Sequence, residues 1–401
     1  MKFKYLARSI DGKVQSGTVE SSGQRSAAAL IKAQNLILIS LDEDRGGFSI
    51  DGLMNGLRGI SPNDIVNFTR QLATMISAGL SLSESLNILK EQITNAQFKT
   101  IIQSIQADVS GGNSFSNSLS MYPDLFDTTY VSLLTAGEAS GNLDDILLRL
   151  ADKLEKSRSF KSKLKGAMIY PVIVVIAMAG VMTVMVVFVI PKLTDMYKSL
   201  NIELPLPTQI LIGISNIVIN YWIFLIIAIV AFVVGFSYFK RSLTGIYTLD
   251  KIALKFPIFS NITKLGIYTE FTRTLSLLMR SGVSIVDALQ IVANSLGNVY
   301  FQEEVFDASR KVEKGVPLSE PIIASKYFPA IIGQMIAVGE RTGKMDDVLM
   351  KTSAYFESEA DQAVKNLSTA LEPIIMVLLG LMVGVLILSV ITPIYKLTSS
   401  F

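Results

Sequence analysis

The sequence predicts an all-α membrane protein: two duplicated helical bundles plus three transmembrane helices, preceded by a small α/β N-terminal module. Three observations carry that prediction. First, Gly137-Glu138-Ala139-Ser140-Gly141-Asn142-Leu143-Asp144-Asp145 returns as Gly339-Glu340-Arg341-Thr342-Gly343-Lys344-Met345-Asp346-Asp347. Second, each copy leads into an apolar span, Pro171–Pro191 or Pro373–Pro393, and all these landmarks stand 202 positions apart. Third, half of the 401 residues are hydrophobic and only 17% are charged, against about 25% in an ordinary globular chain.

Composition also excludes chemistry. The chain has no cysteine and no histidine. Disulfides, thiol nucleophiles and Cys- or His-ligated metals are therefore ruled out, and so is the commonest general base. A net charge of +2 points to no nucleic-acid partner; where the positive charges sit matters more. Met1-Lys2-Phe3-Lys4-Tyr5-Leu6 has no continuous apolar core, so no cleavable signal peptide is expected.

Residues 1–45 are expected to form the α/β module. Lys4–Ser9 and Val14–Val19 flank Asp11-Gly12, a hairpin signal, Gln24–Gln34 is Ala-rich and reads as a helix, and Leu36–Leu41 reads as a strand. A folded cap and a partner-docking module are the two readings of this region. Asp44–Gly59, with glycine at 46, 47, 52, 56 and 59, reads as a flexible linker, bounded here as 46–60.

Residues 61–169 read as a first helical bundle. Ser61-Pro62-Asn63-Asp64 is a helix start; Ile65, Phe68, Leu72 and Ile76 then share a face, and Gly79 closes the helix. Ser81-Leu82-Ser83-Glu84 opens a second helix, Phe98–Val109 and Leu125–Ala136 are further helices, and Asn142 starts a long one. The second bundle, within 240–372, repeats this pattern over roughly 264–372. Phe271-Thr272-Arg273 through Gly282 matches Phe68-Thr69-Arg70 through Gly79, and Ser284 through Asp287 repeats the capping signal. Pairing Pro123 with Pro329 gives offsets of 202 to 206, which imply small loop insertions. Two copies are too few for a solenoid and indicate an internal duplication.

The expected spans are 170–190, 210–239 and 373–392. Pro171–Ile190 and Pro373–Ile391 contain no charge and approach the ~20 residues that cross the hydrocarbon. Pro171 and Pro373 are each expected at a helix start, where a missing N–H is harmless. In the middle span, Asn216, Asn220, Tyr221 and Trp222 suggest an interfacial first half. Orientation follows from charge. Lys153, Lys156, Arg158, Lys161, Lys163 and Lys165 precede the first span, and Lys240, Arg241, Lys251 and Lys255 follow the second, whereas loop 191–209 is balanced. Positive flanks stay cytoplasmic, so the loop 191–209 and the tail 393–401 are expected outside and both bundles inside. A direct repeat needs one additional crossing to return the chain, and 210–239 supplies it.

Gly339 through Lys344 superficially resembles a phosphate loop. It has three residues between its glycines where four are needed, and Met345 stands where Ser or Thr belongs, so no nucleotide site is assigned. The acids Glu138, Asp144 and Asp145, with Glu340, Asp346 and Asp347, admit three readings. They are first-turn acids and ion-pair partners, Glu138 for Arg70 and Glu340 for Arg273; they form a partner surface; or they hold a hard cation. No catalytic, cofactor or metal site is assigned. Gly380 and Gly384 form a GxxxG, and Asn216 and Asn220 lie one turn apart; chance spacing and interfacial solvation account for these.

The repeated Phe-Thr-Arg … Gly … Gly-Glu-x-x-Gly-x-Leu/Met-Asp pattern, the N-terminal module and the three spans together resemble the GspF/PilC family across essentially the whole chain. Ala139 and Arg341 vary within the motif. The resemblance implies an inner-membrane platform of a type II secretion or type IV pilus machine. Its implied partners are a cytoplasmic hexameric ATPase, pilin or pseudopilin subunits, other inner-membrane assembly proteins, membrane lipid and further copies of itself. It marks Arg70, Glu138, Gly141, Asp144, Asp145, Arg273, Glu340, Gly343, Asp346 and Asp347 as family-motif and partner-surface candidates. The competing reading is a three-span transporter or receptor component. A transporter is expected to carry polar groups at mid-membrane, and these spans offer almost none.

Overall fold

The computed structural model describes residues 2–9, 14–21, 23–33, 36–44, 59–192 and 206–399. The chain divides into two compact units, Met1–Ile60 with Thr94–Phe98, and Ser61–Ile93 with Lys99–Phe401. The hairpin turn at Asp11-Gly12, most of the linker 46–60 and most of loop 191–209 lie outside the described residues.

In the first unit, β1 (Lys2–Ser9), β2 (Val14–Glu20) and β3 (Leu36–Asp44) form an antiparallel sheet in the order β2-β1-β3. Lys2 faces Glu20 and Arg8 faces Val14; a shift between Leu6 and Ala7 interrupts the pairing with β3. Helix α1 (Gln24–Ala33) buries Ala27 and Ile31, one turn apart on one face.

The second unit holds the duplication. Its first copy comprises α2 (Pro62–Ser77), α3 (Leu82–Gln92), α4 (Ala96–Ser110), α5 (Phe115–Ser120), α6 (Thr128–Ser140) and α7 (Leu143–Val184). A π-helical turn, Met185–Val189, continues α7. Helices α8 (Leu206–Arg241) and α9 (Leu243–Lys255) follow. The second copy is α10 (Pro257–Arg280), α11 (Ile285–Ser295), α12 (Val299–Glu313), α13 (Ser319–Ala324), α14 (Ala330–Thr342) and α15 (Met345–Ser399). It begins at Pro257 rather than near 264. The short α5 and α13 and the separate α9 were not anticipated; six residues are too few to show a helical period.

Three pairs of left-handed glycines end corresponding helices: Gly79 and Gly282 (φ 92° and 81°), Gly112 and Gly315 (91° and 89°), and Gly141 and Gly343 (72° and 67°). A side chain at positive φ costs energy, so these positions set where each helix stops. Ser61 and Asp64 form a full capping box, while Ser81, Ser114 and Ser284 each accept a backbone N–H of the helix they start. The correspondence of α6 with α14 shows that Pro329, the N-cap of α14, occupies the place of Asp127 and not of Pro123. The 206 offset is therefore corrected to 202 at this point.

Each bundle closes on its long helix. Leu72, Leu86, Leu133 and Leu147 are buried in the first copy, and Leu275, Leu289, Ile336 and Leu349 in the second. The long helices α7 and α15 then continue unbroken into the apolar spans. Two helical stretches, Leu143–Lys192 and Met345–Leu388, are long and apolar enough to cross a membrane. The pair Ile226–Arg241 and Leu243–Lys255, bent by 94°, makes a third only if taken together. Pro171 and Pro373 lie inside long helices, not at helix starts. Each therefore deprives the carbonyl four residues earlier, of Ala167 or Thr369, of its helical donor.

Among the described residues, α8 departs from helical geometry at Tyr221 (φ −119°, ψ 20°), which separates its two halves. Ser215 in the first half is buried and donates to the carbonyl of Val186, in the π turn, at 2.6 Å. A π turn disturbs the i→i−4 ladder, and this hydroxyl supplies a donor there. A polar link of the kind weighed for Asn216 and Asn220 is made by Ser215; the side chain of Asn216 lies outside the described residues. A Cβ at Gly380 or Gly384 would meet nothing within 4 Å, so the GxxxG makes no close contact among the described residues.

Candidate functional site

The repeated motif is built as a joint. Gly137 sits in α6 under the first turn of α7: a Cβ there would lie 3.1 Å from Ile146 Cγ1. In the second copy a Cβ on Gly339 would lie 2.9 Å from Met345 Cα. The first glycine thus permits close helix contact, and the second, Gly141 or Gly343, turns the chain in the left-handed conformation. Asp144 and Asp145, or Asp346 and Asp347, then occupy the first turn of the long helix, where its dipole favours anions. Arg149 holds Asp145 at 2.6 Å, and Arg280 approaches Asp347 at 3.6 Å. Asp144 and Asp347 are exposed.

The glutamates do not pair with the arginines. Glu138 reaches the start of α5, where it accepts from the backbone N–H of Phe115 at 2.6 Å and of Ser116 at 3.0 Å, and from the Ser116 hydroxyl. Glu340 does the same at α13, accepting from Ser319 N–H at 3.3 Å and its hydroxyl at 2.5 Å. The expected pairs Glu138–Arg70 and Glu340–Arg273 are therefore corrected: each glutamate ties its short helix to the joint, because orphan N–H groups at a helix start attract a carboxylate. No group of three or more acidic ligands able to hold a metal occurs among the described residues.

Arg70 clamps the long helix instead. Its Nε and Nη2 bond both oxygens of Glu155 at 2.8 and 2.7 Å, and Nη2 also meets Asp152 at 2.5 Å. This forked pairing holds the Glu155 carboxyl below its usual range and raises Arg70 further. Arg273, buried to 7% exposure, bonds Glu357 at 2.7 Å, the counterpart of Glu155.

A second structure emerges between the copies. Lys153 meets Glu270 at 2.8 Å, Lys156 meets Glu357 at 3.0 Å and Lys163 meets Asp361 at 2.6 Å. Along α7 and α15 the partners advance together in sequence, so these two helices run parallel. Below the ion pairs, Phe160, Leu164 and Ala167 pack against Ile262, Val364 and Leu367. Burial pushes the Glu270 carboxyl up, but Lys153, with Thr274 and Arg273, outweighs it and holds Glu270 below its usual range. One copy contributes the bases and the other the acids. The lysines had been read only as a topology signal; their i, i+3, i+10 placement on one helix face was the overlooked clue to a seam.

The same sequence pattern recurs in known proteins. The family profile described as "Type II secretion system (T2SS), protein F" matches residues 68–191 and again 271–393, the two copies with their spans. The chain belongs to this family. The profile of the family's N-terminal domain matches residues 1–42. Similar proteins include the type IV pilus assembly protein PilC of Thermus thermophilus, 35% identical over 98% of each chain. PilC of Myxococcus xanthus is 35% identical over all of this chain and 95% of its own. Type II secretion system protein F of Pseudomonas aeruginosa is 30% identical over 98% of each. Family membership thus accounts for the duplicated motif, and no described residue of the motif is arranged as a known catalytic constellation.

Proposed function

We propose that this chain is a non-enzymatic platform of the bacterial inner membrane. In this reading it couples a cytoplasmic hexameric ATPase to the assembly of pilin or pseudopilin subunits in a type IV pilus or type II secretion machine. One observation carries the reading: α7 and α15 each run without a break from the motif joint into an apolar span, and the ion-pair seam binds them side by side. A push on either bundle is thereby delivered to the membrane as movement of a coupled helix pair rather than dissipated in a loop. The names of the relatives support the machine; the continuity of the helices supports the coupling.

The associated topology has three spans, 170–190, 210–239 and 373–392. Bundles 61–169 and 240–372 and the N-terminal module 1–45 are cytoplasmic, and 191–209 and 393–401 face outward, as the positive flanks favour. The exposed acids Asp144 and Asp347, at the two motif joints, are the docking residues assigned to the ATPase; Glu138 and Glu340 tie the short helices to those joints, and Arg70 and Arg273 clamp the long helices that carry the acids. Co-purification of the detergent-solubilised chain with the assembly ATPase of the same organism tests this. Stable association, lost in the Asp144→Lys/Asp347→Lys variant with unchanged thermal unfolding, is expected. No association while the chain stays folded overturns the coupling reading in favour of the transporter or receptor alternative.

A further inference from the structure

We propose that α9 lies in the cytoplasmic interface of the bilayer and carries a binding site for anionic phospholipid headgroups, built from Lys251 and Lys255 beside Ile252 and Phe256. The inference rests on the topology just given, in which α8 ends at the cytoplasmic side. Helix α9 leaves the apolar segment Ile226–Arg241 at 94°; with 210–239 as the second span of that topology, α9 turns along the membrane plane.

The turn is built into the sequence. Ser242 caps α9, accepting from the Gly245 N–H at 3.1 Å and donating to the Phe239 carbonyl at 2.9 Å. Gly245 is buried, and a Cβ there would lie 1.7 Å from the Phe239 carbonyl oxygen. Any side chain at 245 would force the bend open.

The two faces of α9 differ. One is fastened to the second bundle: Asp250 accepts from Val299 N–H at 2.7 Å and, through its carbonyl, from Asn298 at 3.3 Å. Tyr247 bonds Glu303, and the Leu254 carbonyl accepts from Ser260 at 2.6 Å. The opposite face, turned away from the bundle, carries a shallow apolar groove lined by Thr248, Lys251, Ile252, Lys255 and Phe256. Ile252 and Phe256 are 51% and 53% exposed. Among the described residues, Arg241, Lys251 and Lys255 form no ion pair, and the single acid of α9, Asp250, is turned to the bundle.

Cations flanking exposed aliphatic and aromatic groups at the end of a span are the chemistry of an interfacial helix. A free phosphate ion would use the lysines but not Ile252 or Phe256, whereas a lipid offers a phosphodiester and an acyl chain together. The preceding segment of α8 also exposes apolar residues, among them Phe232 and Phe239.

The absence of cysteine allows a clean test. Ile252→Cys in the full-length chain, labelled with an environment-sensitive fluorophore, is read in nanodiscs of phosphatidylcholine alone or mixed with phosphatidylglycerol. Ile176→Cys in the first span and Glu313→Cys on the second bundle serve as references. The expected result is shielding of position 252 from an aqueous quencher, increasing with phosphatidylglycerol, while 313 is quenched. Lys251→Gln/Lys255→Gln, carried with the label, weakens the phosphatidylglycerol response by roughly five-fold per lysine. Quenching of 252 as free as that of 313, with 176 still shielded, overturns the inference and leaves the topology standing. An unchanged lipid response in the double variant, or an equal response to inorganic phosphate, also overturns it. Quenching at 176 as well overturns the topology and this inference together.

Discussion

In the first copy Arg70 turns Nε and Nη2 to its own long helix, gripping both oxygens of Glu155 and, through Nη2, Asp152. In the second, Arg273 holds Glu357 through one nitrogen, and Lys156 of the first copy meets the same carboxylate oxygen. Substitutions around this shared pair separate the two arrangements. Lys153 and Lys156 have Tyr355 and Ser358 as counterparts, while Glu270 and Asp361 replace Asn67 and Ser159. Asn67 is occupied within its own copy, accepting from Arg158 at 2.9 Å. The duplication thus kept the internal joint in both halves and divided the seam between them, bases on one side and acids on the other. Identical faces would have set like charges opposite each other; complementary ones let two related bundles pack in a single register.

The joint is the first place to break that comparison. Glu138→Ala orphans two backbone N–H groups and a hydroxyl and is expected to cost about 3 kcal/mol. Glu340→Ala orphans donors of one residue, Ser319, and is expected to cost about 2 kcal/mol. Thermal unfolding of each variant in detergent measures the order; equal losses would show that the two joints are energetically alike.

The seam comes next. Lys153→Ala leaves Glu270 without its main cation, and since Glu270 retains some solvent the loss is expected near 2 kcal/mol. A double-mutant cycle of Lys153→Ala with Glu270→Ala should return a coupling of about 1 kcal/mol, whereas the more exposed Lys163–Asp361 pair should give about 0.5 kcal/mol. Zero coupling at both pairs would reduce the seam to its apolar part, Phe160 and Leu164 on Val364 and Leu367.

Acid should weaken both the seam and the Arg70 clamp. Glu155 and Glu270 are held below the ordinary glutamate value, so the folded state binds their protons less readily than the unfolded chain. Their contribution is complete above the unfolded value of about 4.3 and is lost as pH falls through the lower folded values. Glu270→Gln should flatten the pH dependence of unfolding below about pH 4.3 and leave its slope near neutrality unchanged; a wild-type slope in the acid range would remove Glu270 from this account.

The smallest expected effect contrasts the two long spans. The first changes to a π turn at Met185–Val189, where Ser215 donates to it, whereas α15 is α-helical through its span. Ser215→Ala should destabilise by about 1 kcal/mol, read by unfolding in mild detergent. A substitution with no effect would mean that the π turn satisfies Val186 by other means.

Much of this was legible in advance because it is local or repeated. The 202-residue offset, the serine caps, the helix-ending glycines and the charge-free spans each announce themselves within a short stretch of chain. The candidate site was legible only in part. Asp144, Asp145, Asp346 and Asp347 lie in first turns as their position after the glycine predicts, yet the partners of Glu138 and Glu340 were misassigned. Opposite charge made Arg70 and Arg273 the natural choice. The actual partners are backbone groups of the six-residue helices α5 and α13, whose donors carry no sequence signature.

The sequence by itself determined the duplication, the two charge-free spans, the helix starts capped by Ser61, Ser81 and Ser284 and the helix ends at Gly79 and Gly282, because period, caps and hydrophobic run length are properties of neighbouring residues. Only the tertiary structure decided that Lys153, Lys156 and Lys163 face acids of the other copy. It alone showed that Ser215 meets a π turn and that Gly245 folds α9 across the end of α8. Each depends on groups brought together from distant parts of the chain or on a backbone direction that many sequences share. Pair interactions of that kind fall off within a few ångströms, and nothing in the linear order of residues records which atoms come that close.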